Sequence, residues 1–190
     1  MGRTNTLEED FMIRLVVVCT AIMALFFSSL LPGAYAADDT KQFPSCKYCG
    51  MNREQFAFSR MYIEYDDGKA EGLCSIHCAA VDLAVHIDRF PKAMSVGDYS
   101  TKQLIDAEKA FWVIGGGKPG VMTRRAKWAF ATKQDAETFT MGSGGQLAGF
   151  DEAMKATYED MYQDTKMIRD RRAAKRKAME EQKKQEHSHK

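Results

Sequence analysis

The period of the apolar positions changes several times along the chain, and each change marks an element. Phe56 to Tyr65 alternates and is rich in aromatic and β-branched residues, which predicts a strand. Asp66-Asp67-Gly68-Lys69 reads as a hairpin turn, and a second strand is expected from Ala70 to Cys74. The period then becomes helical. Ile76, Ala80, Leu83 and Ile87 form one stripe behind Ser75, a good N-cap residue. Phe90-Pro91 should end that helix, and Lys92 to Tyr99 should form a third strand. The same order follows again. Ala110 to Ile114 predicts a strand. Gly115 to Gly120 is a glycine-rich loop without the pattern of a phosphate-binding loop. Ala126 to Ala131 predicts the next strand. Thr132 to Asp135 is a capping-box-like helix start, Ala136 and Phe139 supply that helix's apolar side, and Gly144-Gly145 should end it. Gln146 to Phe150 closes the series as a short strand. The expected fold is α+β, with two ββαβ-like repeats over residues 43-100 and 101-150. Ser75 then corresponds to Thr132, and Cys78 to Asp135.

From Asp151 the pattern is that of one long helix reaching Lys190. Met154, Tyr158, Met161, Thr165 and Ile168 supply a stripe for packing on the body. Beyond Ile168 the composition is charged. Lys166 to Lys190 holds ten Lys or Arg against four Asp or Glu, a net +6. Such a run suits a solvated helix. It also suits electrostatic docking to a membrane surface or to an acidic partner.

The N-terminal residues read as targeting rather than fold. Leu15 to Leu31 is apolar apart from Thr20, Ser28 and Ser29, with Arg14 before it and Pro32-Gly33 after it. Ala34-Tyr35-Ala36 has the small-x-small pattern of a signal-peptidase site. Residues 1-36 are expected to be a cleaved signal peptide, which makes the mature protein periplasmic or secreted. The alternative is an uncleaved N-terminal membrane anchor, since about 17 apolar residues is the lower limit for a span. Cys19 follows Val18 early in the apolar run and is a poor lipid-attachment site. The whole chain of 190 residues carries only +1, so no global field draws it to nucleic acid. The balance is uneven, because Ala37 to Thr165 sums to −4.

The candidate chemistry lies in Cys46-Lys47-Tyr48-Cys49-Gly50-Met51 and in Cys74-Ser75-Ile76-His77-Cys78. A C-x2-C followed at this distance by a C-x3-C allows two thiol pairs to close one tetrahedron. Gly50 permits the tight turn between the ligands. Cys78, in a first helical turn, meets a helix N-terminus that favours thiolate. The thioether of Met51 suits Cu(I) and adds little for Zn(II). The thiols have two other readings: disulfides in an oxidising compartment, and a structural Zn(II) site. A thiol-disulfide oxidoreductase is a third alternative. It is disfavoured because such C-x2-C motifs open a helix directly after a strand, whereas this one precedes a strand. No Ser-His-Asp set or paired carboxylates stand out, so the chain is not expected to be an enzyme. His77 reads equally as a surface histidine or a ligand. His187 and His189 read as part of a polar end.

Cys49-Gly50-Met51 after a signal segment resembles the NosL family of copper-binding accessory proteins in nitrous oxide reductase maturation. So do Gly120-Val121-Met122-Thr123, Trp128-Ala129-Phe130-Ala131 and Asp135-Ala136-Glu137. The resemblance covers roughly Phe43 to Phe150. It implies a duplicated ββαβ fold, Cu(I) held by Cys49 and Met51 with Met122 contributing, and delivery to a copper-receiving enzyme or transporter. The chain departs from that family in lacking a lipid-attachment cysteine and in its basic tail. It also departs in the thiol-rich Cys74–Cys78 segment, which is similar to TRASH-type modules that bind zinc or heavy metals. The expected function is an extracytoplasmic Cu(I) metallochaperone. Its candidate ligands are Cys46, Cys49, Met51, Cys74, His77, Cys78 and Met122, with Zn(II) as an additional or alternative metal.

Overall fold

The structure is a computed structural model and describes residues 39–188. The signal segment over residues 1-36, with Cys19, lies outside the described residues, as do His189 and the side chain of His187.

The described residues begin with α1 (Asp39–Gln42) and a loop through the first cysteine pair. A hairpin of β1 (Met61–Tyr65) and β2 (Ala70–Leu73) follows, then α2 (Ile76–Val85) and β3 (Pro91–Gly97). A three-residue β4 (Leu104–Asp106), not anticipated from the pattern, completes a sheet of order β2-β1-β3-β4. The second unit comprises β5 (Phe111–Ile114), β6 (Lys127–Phe130), α3 (Lys133–Ser143) and β7 (Gln146–Ala148), in the order β6-β5-β7. Both units place their first strand centrally, between the second strand and the strand after the helix. All these pairings are antiparallel. The α+β class and the two ββαβ units are therefore present as the pattern implied. The long helix α4 (Phe150–Ser188) follows.

The helix starts match their sequence signals. Ser75 has the extended backbone of an N-cap, although its side chain makes no capping bond. Thr132 caps α3 by accepting from the Asp135 N–H at 3.1 Å. The two units join at Asp98, which is 1% exposed. Its carboxylate accepts from the Ser100, Thr101 and Ala131 N–H groups, and Tyr99 N–H donates to Ala129 O.

Three expectations need correction. The strand does not begin at Phe56. Residues 53–59 form turns closed by local bonds such as Ser59 N–H and Arg60 N–H to Phe56 O. The alternation there reflects Phe56 and Phe58 turning into an aromatic cluster with Tyr99 and Trp128, not pairing with a neighbouring strand. Close backbone contact replaces the missing ladder, since a Cβ on Gly97 would lie 2.0 Å from Ala57 O. Gly97→Ala is expected to cost roughly 2–3 kcal/mol, read as a lowered urea midpoint with an unchanged slope.

The second correction concerns α2, which stops at Val85. His86 N–H closes on Asp82 O, and Ile87 is 90% exposed rather than part of a buried stripe. The third concerns α4. Its buried positions are Ala153, Ala156, Thr157, Asp164 and Met167, displaced from the expected stripe. Small residues lie against the body, and Tyr158 reaches over to donate from its hydroxyl to Ala80 O at 3.0 Å. From Arg169 to Gln185 α4 is exposed.

The polar stretch before Cys46 is anchored to the body. Asp39 is buried and accepts from both Arg53 (2.8 Å) and Arg60 (2.9 Å). Arg53, fully buried, donates further to the carbonyls of Asp39, Phe43, Met61 and Leu73. This network fastens the loop that carries Cys46 to the β1–β2 hairpin that ends at Cys74.

Candidate metal centre

Four thiols converge where the first loop, the end of β2 and the first turn of α2 meet. The loop is a tight knuckle. Cys46 N–H donates to Met51 O at 2.8 Å and Gly50 N–H to Cys46 O at 2.9 Å. Gly50 sits at φ +73°, a region that glycine adopts without steric cost. Cys74 follows β2 directly, and Cys78 is the third residue of α2. The four Sγ atoms lie within 4.8 Å of one another. Cys49 to Cys74 is 3.4 Å and Cys74 to Cys78 is 3.6 Å. A tetrahedral thiolate site with metal–sulfur bonds of about 2.3 Å has edges of about 3.8 Å. A disulfide needs about 2.05 Å, and all four cysteines are free. Cys46, Cys74 and Cys78 are buried, whereas Cys49 is half-buried.

The protonation pattern fits a site that needs a cation. Hydrogen bonds from Cys49, Cys74 and Cys78 pull the Cys46 thiol well below its ordinary value. Their bonding to Cys46 holds the Cys74 and Cys78 thiols well above theirs, and burial adds to the effect. Bonding to Cys46 raises the Cys49 thiol, but Cys74 and Cys78 outweigh it and its net shift is downward. A bound metal ion would displace the thiol protons and neutralise the charge that burial opposes.

Asp82, one helical turn after Cys78, ties the two halves of the site together. It is completely buried. It accepts from Tyr48 Oη at 2.5 Å, from Lys47 Nζ at 3.2 Å and from Tyr65 Oη. Lys47 and Tyr48 are the two residues between Cys46 and Cys49, so the first knuckle is bonded to the helix that carries Cys78. Burial raises the Asp82 carboxyl pKa, but the bonds from Tyr48, Tyr65 and Lys47 outweigh it and the net shift is downward. Sequence reasoning missed Asp82. The available signal was an acidic residue four positions after a candidate ligand, on the same helix face.

Among the His, Cys, Asp and Glu of the described residues, the four cysteines converge without His77, and Met51 and Met122 lie beside them. His77 is buried, and burial lowers its pKa against the pull of Asp164. Its Nδ1 lies 3.8 Å from Asp164 Oδ2 on α4, and neither atom has a hydrogen-bond partner among the described residues. Met51 and Met122 are half-buried and line one cavity of about 600 Å³ with Cys49. Met122 also lines a second cavity, of about 170 Å³, with Cys49, His77 and Cys78. Met122 has φ +62°, an uncommon backbone conformation for a non-glycine residue and one that functional loops often hold. Cys49 is thus the thiol that both cavities reach. Residues of α4 border both, and Arg172 donates to Cys49 O at 3.4 Å. That contact was not foreseen.

The NosL family model matches residues 39–158. The chain belongs to the NosL family. Among solved structures, the copper chaperone NosL from Shewanella denitrificans is similar, at 26% identity and a TM-score of 0.50. That match covers 64% of this chain and 96% of the other. Comparison with curated proteins gives no match. On this NosL-family chain, the family match spans all four cysteines, Met51, His77 and Met122. It ends before the part of α4 that borders the two cavities, from Thr165 to Arg172.

Proposed function

We propose that this chain is an extracytoplasmic copper carrier that takes up Cu(I) on cysteine thiolates and passes it to a copper-receiving protein by ligand exchange. The observation that carries this reading is the accessibility of one corner of a four-thiol cluster. Three thiols are buried, while Cys49 opens on two cavities that also present Met51 and Met122. Soft thiolate and thioether donors suit Cu(I), and an accessible corner lets an incoming ligand replace an outgoing one. The similarity to a copper chaperone supports the choice of metal. The family resemblance favours a nitrous oxide reductase-like cuproenzyme as recipient. The targeting pattern of residues 1-36 supports a place outside the cytoplasm, and no catalytic step is required.

A second reading is favoured by the near-tetrahedral sulfur spacing: the four cysteines hold structural Zn(II), and copper binds beside it at Cys49, Met51 and Met122. Anaerobic titration of the reduced chain with Cu(I) and with Zn(II), each against a chromogenic chelator, separates the two. Carriage predicts tight Cu(I) binding that Met51→Ala weakens. Preference for Zn(II), coupled to folding and indifferent to Met51→Ala, would overturn the carrier reading.

A further inference from the structure

We propose that the sulfur-lined groove beside Cys49, bordered by Arg171 and Arg172, docks an acidic, methionine-bearing segment of the protein with which this chain exchanges metal. The proposal rests on the exchange reading for its purpose but not for its test.

The groove is too large for an ion. Its volume is about 600 Å³, whereas one water occupies about 30 Å³ of liquid. Met51, Phe56, Phe58, Met122 and Met167 line it next to Cys49. Thioethers are polarizable and adapt to varied apolar occupants, and aromatic rings favour sulfur contacts. A methionine side chain entering here packs on this wall with its sulfur beside the accessible thiol. That is where an exchanging ligand must arrive.

The charge of the border selects the flanks of the occupant. Arg171 and Arg172 belong to the groove, and both are exposed. Arg169 borders the adjoining cavity, and Lys175, Arg176 and Lys177 continue the basic run along α4. An acidic segment is steered to such a border and held there, and a basic one is repelled. These arginines lie beyond residue 158, where the family match ends. A protein segment fits the site better than a membrane does. Lipid headgroups would engage the exposed run from Lys175 to Lys184 but would leave a concave, sulfur-lined groove unfilled.

The test uses the full chain, reduced and metal-free, with a fluorescently labelled peptide carrying two methionines among aspartates and glutamates. Anisotropy is expected to show binding that weakens with salt. Arg171→Glu/Arg172→Glu should weaken it at least tenfold, and Lys183→Glu/Lys184→Glu, of equal charge change, should leave it within twofold. Replacing the peptide's methionines with serine should also weaken it several-fold. Circular dichroism of each variant verifies folding, which exposed positions tolerate. Three outcomes would overturn the proposal. One is no peptide binding. Another is equal loss in both charge-reversal pairs, which would mean unspecific attraction to the helix. The third is binding of phosphatidylglycerol vesicles in place of the peptide, which would assign the arginines to a membrane surface. Because no metal is present, a chain that binds zinc alone fails the carrier reading without affecting this result.

Discussion

Cys78→Ser is expected to weaken metal binding by roughly a hundredfold or more. Thiolate sites release on the order of 10–16 kcal/mol over four ligands, so one lost sulfur removes about a quarter of that. Serine retains the shape but offers a hard, poorly ionised oxygen. Cys78 is 2% exposed and lies 3.6 Å from Cys74 Sγ, and it borders only the smaller cavity, of about 170 Å³, so a replacement ligand is harder to bring in than at Cys49. Cys49→Ser should be milder in affinity, because that corner is half-buried and water or a small thiol can enter. It should be the more damaging of the two for transfer, because both cavities end at Cys49. Chelator competition gives the affinities, and stopped-flow removal of metal by an excess of chelator gives the exchange rates. If the metal is part of the fold, stripping it should lower the melting temperature of the wild type and change that of Cys78→Ser little. Equal affinity in Cys78→Ser and wild type would remove the four-thiol centre from the account.

Much of this was legible in the sequence because it is written in short-range patterns. The two cysteine pairs, the Gly50 turn, the N-caps Ser75 and Thr132 and the hairpin at Asp66–Lys69 each depend on a few neighbouring residues. The repeat was legible for the same reason, since both units use the same local signals in the same order. What escaped depends on long-range contact. Phe56 and Phe58 alternate as a strand would, yet Phe56 packs on Phe58, whose other neighbours in space, Tyr99 and Trp128, lie far along the chain. Asp82, Asp98 and Asp164 look like surface carboxylates in a sequence and prove to be buried. For Asp98 and Asp164 nothing local reveals it, and for Asp82 the one local signal was its place one helical turn after Cys78. The face of α4 was misplaced because Ala153, Ala156, Thr157 and Asp164 make most of its contact, beside Met167, whereas a search for large apolar residues finds Met154, Tyr158 and Ile168. The bordering of the groove by Arg171 and Arg172 likewise needed the course of α4 across the site.

Asp82→Ala should show how closely the fold and the metal centre are coupled. The substitution leaves Tyr65 Oη, beneath the β1–β2 hairpin, without its acceptor and frees Tyr48 Oη and Lys47 Nζ. Bonds to a charged acceptor contribute about 1.5–3 kcal/mol each. Lys47 is partly exposed and contributes little. The two tyrosine bonds therefore set an expected loss of about 3–6 kcal/mol in unfolding free energy, measured by urea titration of the metal-free chain. The same change unfastens Lys47-Tyr48, which holds Cys46 and Cys49 in position, from the helix that holds Cys78. Metal affinity should then fall about ten- to a hundredfold, as for other residues that orient ligands without touching the ion. Asp82→Asn keeps one acceptor oxygen and should recover part of both losses. A purely structural role would lower stability and leave the affinity of the folded fraction intact. Co(II) substitution separates these outcomes, since its thiolate charge-transfer bands report sulfur geometry in whatever remains folded. Unchanged bands and affinity in a destabilised Asp82→Ala chain would mean that the first knuckle holds its own shape.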